Sequence, residues 1–198
     1  MSATLANVVL RNFDQDMPGT APPGFTFSAA RQPAPGRWVV RADGGNQYLA
    51  HAADAKASGF SLATLDAAAP ARMRASARIK LTEGDRTGGL VWRYQDAENF
   101  YLVSLDLTLQ EMSLYRVVRG NRVRLEYEDD LELDRDAWHT LRVVHDEERI
   151  RVALGGIGVM RARDNAIAAP GRAGVWSGGA TTAWFDDLRV EAPLEGRR

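Results

Sequence analysis

Residues 72–82 read RMRASARIKLT. Met73, Ala75, Ala77, Ile79 and Leu81 alternate with Arg72, Arg74, Ser76, Arg78 and Lys80. Side chains on a strand alternate faces with period two, so one side of this stretch is apolar and the other charged. Alanine favours a helix by propensity, but a helix would scatter these arginines around its cylinder. The stretch is a strand, and the class is all-β. Residues 88–128 follow, GGLVWRYQDAENFYLVSLDLTLQEMSLYRVVRGNRVRLEYE. Four strands are expected there, over 90–94, 100–108, 112–118 and 122–128. β-Branched and aromatic residues fill the runs, and Gly, Asp and Asn fill the gaps. Short connections let each run pair with its neighbour, which makes this meander the centre of an antiparallel sheet.

Outward from there, the chain keeps the same habit. Short strands are expected at 8–10, 25–27, 37–40 and 47–50, with turns at 12–24 and at Asp43-Gly44-Gly45-Asn46. The Ala-rich segment 52–71 is ambiguous, and a short helix over 62–69, ended by Pro70, is one reading of it. After the meander, Leu141 and Val143 alternate before the turn Asp146-Glu147-Glu148, and Ile150, Val152 and Leu154 alternate after it. Further strands are expected at 157–161, 172–176 and 182–191. Short strands at this spacing indicate a sandwich or a barrel. No linker-like break in composition appears, so residues 1–198 are expected to form one domain, with 1–6 and 194–198 fraying.

The chain has 198 residues and no cysteine, which removes disulfides, thiolate metal sites and cysteine nucleophiles together. A domain of this size buries roughly 70% of its unfolded surface and needs no staple. Formal net charge is −1. That lacks a strongly basic footprint, and no nucleic-acid partner is expected. No apolar run reaches the roughly 18 residues of a membrane span. The N-terminal MSATLANVVLRNF lacks a basic start followed by an apolar core. Export to the periplasm or outside fits only if a leader was removed; otherwise a cytoplasmic place is expected. No nucleophile elbow, phosphate loop or dinucleotide fingerprint is present, and no catalytic residue is singled out. His51, His139 and His145 lack zinc-ligand spacing and are read as structural. The basic run 116–124 alternates with Val and Gly, which makes it one charged strand edge.

Several segments, in their order, resemble the concanavalin A-like lectin/glucanase superfamily, and within it bacterial laminin-G-like and 3-keto-disaccharide-hydrolase-like domains. They are Gly89-Leu90-Val91-Trp92-Arg93-Tyr94, Asn99-Phe100-Tyr101, Trp138-His139-Thr140-Leu141-Arg142-Val143, Pro170-Gly171-Arg172-Ala173-Gly174-Val175-Trp176 and Phe185-Asp186-Asp187-Leu188-Arg189-Val190. The resemblance implies a jelly-roll sandwich of two curved antiparallel sheets, with a concave face where relatives bind or cleave glycans. It implies fold better than activity. The chain departs from the glucanases in lacking their Glu-x-Asp-x-x-Glu strand, and Ser104 stands where a basic residue is expected in close relatives.

Asp186 is the first candidate for a site. On a regular last strand Trp184, Asp186, Leu188 and Val190 share an inward face, which leaves Asp186 a costly carboxylate in need of a partner. One partner is Ca²⁺, a hard cation taking six to eight oxygens. The resemblance implies that Asp186 and the backbone carbonyls of Asn12 or Phe13 and of Gly44 or Gly45 would hold it, with a loss of heat stability in chelator. The other partner is an arginine, or a bulge turns Asp186 to solvent. Alternation next groups Arg93, Ser104, Asp106 and Tyr115 as a glycan-binding patch, with Trp92 and Tyr94 pointing the other way into the core. A ring that stacks on a pyranose and charged groups that fork onto hydroxyls suit a sugar. A plain solvated face closed by an Arg–Asp pair stands beside that reading. Third, Glu126, Glu128, Asp130 and Glu132 place alternate acids where a hydrolase pair would be sought, though an acidic solvent face is the commoner outcome. Last, Asp14 and Asp16 form a weak cation-loop pattern. The function expected is a non-catalytic carbohydrate-binding or adhesion module for an oligosaccharide. The alternatives are a glycoside hydrolase or lyase, and a domain whose partner is a protein.

Overall fold

A computed structural model describes residues 8–32, 34–52 and 58–192. The ends expected to fray lie outside the described residues. Among those described there are strands and no helix. In chain order the strands are β1 (Val9–Arg11), β2 (Phe25–Ala30), β3 (Arg37–Asp43), β4 (Asn46–Ala52), β5 (Phe60–Ala69), β6 (Met73–Glu83), β7 (Thr87–Asp96), β8 (Asn99–Asp106), β9 (Glu111–Val118) and β10 (Asn121–Glu128). The remaining five are β11 (His139–Asp146), β12 (Arg149–Leu154), β13 (Ile157–Arg163), β14 (Gly171–Gly178) and β15 (Thr182–Glu191). They form two antiparallel sheets. One has eight strands in the order β13-β12-β11-β6-β15-β4-β3, with β1 against β15; the other has seven, β10-β9-β8-β7-β14-β5-β2. This is the jelly-roll sandwich expected from the sequence.

β6 shows why. Met73, Ala75, Ala77, Ile79 and Leu81 are all buried, and the arginines between them reach the other side. The main core takes one face from each sheet. It contains Ile79, Val143, Val152 and Phe185 from one, and Leu90, Trp92, Tyr101, Val103 and Val175 from the other. Each fully buried Leu, Val or Phe side chain is worth about 1.5–3 kcal/mol against exposure. The ambiguous segment 62–69 is strand, not helix: β5 pairs β14 from Phe60↔Gly178 to Ala69↔Gly171. Pairing on both edges, to β2 and β14, overrides the helix propensity of its alanines.

The seven-stranded sheet carries a second apolar cluster on its outer face. Phe60, Leu62, Val91, Tyr94, Phe100, Leu102, Val117 and Trp176 form it. β5 and β8 are separated by β14 and β7, and the register sets Ser61 level with Leu105, five residues from Phe100 along β8, so a flat sheet would hold Phe60 and Phe100 more than about 20 Å apart. Their ring centroids are 6.4 Å apart. The sheet is therefore coiled over this face, which makes it concave. Gly89 lets it close. Trp176 Nε1 donates to Val103 O at 2.9 Å across Gly89, where a Cβ would sit 1.9 Å from that carbonyl oxygen.

Candidate functional site: the concave trough

The trough is built by register. β8 and β9 set Ser104 opposite Ser113, Leu102 opposite Tyr115 and Asp106 opposite Glu111. β10 adds Tyr127 opposite Ser113, Arg124 opposite Tyr115 and Arg122 opposite Val117, with a bulge between Arg124 and Glu126. Partners across a ladder share a face, so these residues line the concave side together. Rings and guanidinium groups are layered here. Arg122 Cζ lies 4.7 Å above Tyr115 and 5.8 Å from the Phe60 ring, and Arg124 Cζ lies 4.5 Å above Tyr127. Tyr127 is 47% exposed. Ser113 is 2% exposed, and its hydroxyl has no hydrogen-bond partner among the described residues. A buried hydroxyl without a partner costs free energy, and a ligand hydroxyl is one way to supply one.

Of the four expected patch residues, Ser104 and Tyr115 lie on this face. Arg93 does not. It adopts a left-handed conformation, φ 46°, inside a bulge between Trp92 and Asp96. That single residue breaks the alternation. Arg93 turns inward at 2% exposure, and Tyr94 takes the concave side instead of the core. The Arg93 guanidinium donates to Asn165 Oδ1 at 2.9 Å and to the carbonyls of Ile167 at 2.7 Å, Ala71 at 2.9 Å and Glu147 at 3.3 Å. It ties loops together and is buried away from any sugar. Asp106 is on the expected face, but its Oδ1 accepts the amides of Thr108 at 2.9 Å and Leu109 at 2.8 Å, so it closes the β8–β9 turn.

The four acids do not line one strand. Glu126 and Glu128 fall on β10, at the sheet edge, and Asp130 and Glu132 lie beyond its end. Asp16 pairs with Arg11 at 2.8 Å. Asp14 accepts from Asn12 Nδ2 at 2.8 Å, and its carbonyl from Gln47 Nε2 at 2.7 Å. Neither is aimed at a common centre.

The histidines sit in structural networks. His145 Nδ1 accepts from Trp92 Nε1 at 3.0 Å, so Nε2 carries the proton and donates to Asp164 O at 3.2 Å. Burial, then the nearby Arg93 charge, holds the His145 pKa down to about 4. Tyr101 and Arg116 both donate to the Asp164 carboxylate. Burial and that hydrogen bond push Tyr101 up to about 12. His51 packs tilted against Trp38 with ring centroids 4.8 Å apart, donates to Thr181 O at 2.9 Å, and has its pKa lowered by burial. His139 Nε2 meets Asp134 O at 2.7 Å.

Asp186 is on the other sheet. Trp184 does not share an inward face with Leu188 and Val190. A bulge between Asp186 and Arg189, with Asp187 at φ 50°, shifts the alternation. Ala183 and Phe185 point in above it, and Trp184 stacks outside on Tyr48 at 4.8 Å. Asp186 is 2% exposed. Burial raises its pKa, against the pull of its hydrogen bonds. Oδ2 accepts from Asn46 Nδ2 at 3.1 Å, Oδ1 from the Asp187 amide at 2.7 Å, and Arg78 Nη1 stands 3.6 Å away. The segments of the expected calcium cradle do converge: Gly44-Gly45 forms the turn beside Asn46, and Asp14 holds Gln47. Protein groups, however, already partner the acid and one of the carbonyls. The Phe13 carbonyl already accepts from the Asp16 amide at 2.9 Å. Asn46 presents its amide nitrogen to Asp186, and Arg78 occupies the neighbourhood as the cation. Chelator is expected to leave the melting temperature unchanged. A drop of several degrees, restored by Ca²⁺, would put an ion in place of Arg78.

Comparison with known proteins gives the fold class. No family model and no curated protein matches the chain by sequence. Solved structures do match. The carbohydrate-binding module CBM66 from Bacillus subtilis has a TM-score of 0.69 at 19% identity, covering 89% of this chain and 99% of that one. The VIP36 exoplasmic/lumenal domain, in a Ca²⁺/Man-bound form, has 0.68 at 11%, covering 98% and 93%. A β-1,3-1,4-glucanase (lichenase) derived from a mouse hindgut metagenome has 0.63 at 14%, covering 94% and 99%. The chain has the jelly-roll fold of lectins, carbohydrate-binding modules and glucanases. At identities this low the likeness concerns fold alone.

Proposed function

We propose that the chain is a non-catalytic carbohydrate-binding module that takes an oligosaccharide in the concave trough. The observation that carries this reading is the Ser104–Ser113–Tyr127 row. It sets an unpartnered buried hydroxyl next to an exposed ring on one curved face. Sugars are bound by such a pairing: a ring against the apolar face of the pyranose, and a few placed polar groups for its hydroxyls. The trough floor of Leu62, Trp176, Val91 and Leu102 is apolar and fixed, so little ordering is needed on binding. CBM66 is a carbohydrate-binding module, and the VIP36 domain has a Man-bound form; both support the same class of ligand. The finer laminin-G-like likeness rests on the sequence motifs alone.

A screen against an oligosaccharide panel, followed by calorimetric titration of each hit, tests the reading. Tyr127→Ala is expected to weaken binding about tenfold, the loss of one stacking contact of about 1–1.5 kcal/mol. Its exposure means that the melting temperature should stay put. Unchanged affinity removes the trough as the site. The lichenase likeness keeps hydrolysis as the second reading. Turnover abolished by Glu126→Gln or Asp106→Asn would replace binding with catalysis. A panel without hits, beside a purified protein partner that binds, would favour the interaction domain.

A further inference from the structure

We infer that the glycan of the trough is anionic and carries carboxylate or sulfate groups. The inference rests on the glycan reading above and adds the chemical class of the ligand. Arg122, Arg124 and Arg172 reach the concave side, placed opposite Val117, Tyr115 and Tyr94. None of the three has a carboxylate partner among the described residues. Acids are not scarce in this chain. Arg11, Arg74, Arg116 and Arg189 each have one within salt-bridge distance. In the trough, rings stand where the carboxylates would be. Arg122 lies over Tyr115 and Arg124 over Tyr127. A guanidinium stacked by its flat face keeps its N–H groups free at the rim, and that rim is a fork matched to a carboxylate or a sulfate. The ring also holds the fork in place before the ligand arrives, which lowers the ordering cost of binding.

The charges of the trough are segregated. Arg122 and Arg172 sit at the end that holds Phe100 and Tyr94, whereas Asp106 and Glu111 face each other at the far end. Asp106 is partly spent on turn amides. An acidic sugar therefore meets Arg122 and Arg172 first, and the unpartnered Ser113 hydroxyl lies between them and the acidic end.

The test compares three hexasaccharides by calorimetry: an α-1,4-linked galacturonate, a sulfated galactan and a neutral β-1,4-glucan. One or both acidic probes should bind at least about tenfold more tightly than the neutral one, with an advantage that shrinks as salt is added. Which acidic probe wins tells carboxylate from sulfate. Arg122→Gln should remove about tenfold for the acidic probe and clearly less for the neutral one. Arg122→Lys should restore only part of that, because an ammonium has charge without the fork. Arg151→Gln removes the same charge from the other sheet, where Arg149, Arg151, Arg161 and Arg163 line a shallow depression of 570 Å³. It should change nothing. Equal affinity for the neutral probe, or an Arg151→Gln loss as large as that of Arg122→Gln, would overturn the anionic ligand while sparing the glycan reading. Failure of all three probes alongside an empty oligosaccharide panel would sink both.

Discussion

Arg93→Met is expected to cost about 3–5 kcal/mol, more than any other single substitution proposed for this protein. The native side chain is buried and sits in a left-handed bulge, with its guanidinium shared among three carbonyls and the Asn165 amide oxygen. Those acceptors come from the segment before β6, from the β11–β12 turn and from the loop after β13. Methionine fills the stem's volume but leaves the acceptors dry and unpaired. Domains are stable by about 5–15 kcal/mol in all, so the loss reaches a large fraction of the total. Urea unfolding should show a lower midpoint with an unchanged slope. Arg93→Lys, which keeps the charge but not the fork, should recover less than half of the loss. A midpoint within error of the parent would mean that the loops are held by something else.

Acid should unfold the protein through His145. Its folded pKa is about 4, against an ordinary value of 6.5. Between those two values the unfolded chain binds a proton that the folded chain refuses. Stability is therefore full above pH 6.5 and declines as pH falls towards 4, by about 3 kcal/mol. His51, lowered by burial, acts in the same sense. Asp186 acts in the opposite one: its raised pKa means that the folded state takes up the proton first, so its share of stability falls as pH rises from the ordinary carboxylate value through its own raised one. Melting curves from pH 7 to 4.5 should shift steadily downward. His145→Gln, which retains an acceptor for Trp92 and a donor for the Asp164 carbonyl, should start lower and change less across that range. The same slope in both proteins would exonerate His145.

The fold was legible because the two-residue period holds almost everywhere. β6 alternates without a fault from Met73 to Thr82, and the meander strands end within a few residues of their Gly, Asp and Asn turns. The errors fall where one residue interrupts the period. Arg93 at φ 46° and Asp187 at φ 50° each shift a strand by one position. They send Arg93 inside and Tyr94 and Trp184 outside. A bulge of this kind is fixed by what the displaced side chain finds on the other side, which for Arg93 is a set of carbonyls distant in sequence. Nothing in Trp92-Arg93-Tyr94 encodes them. The trough was half legible. Ser104 and Tyr115 followed from alternation, but Arg122, Arg124 and Tyr127 depended on a β9–β10 register with its own bulge. Phe60 and Trp176 depended on how tightly the sheet coils. Strand 62–69 was obscured by its alanines, whose helix propensity is overridden only once both neighbouring strands are in place.

The placement of β15 has a consequence for how the protein is made. It lies between β6 and β4, and it also holds β1. A chain leaving the ribosome has therefore synthesised nearly all of this sandwich before the gap can be filled. Until then β4 and β6 present unsatisfied edges, and pairings such as Val190↔Ala75 bridge more than half the length of the polypeptide. Such long closures make folding slow and leave the nascent form prone to association. Closure of the eight-stranded sheet is accordingly a late event in biosynthesis, and it waits for the last of its strands to be made.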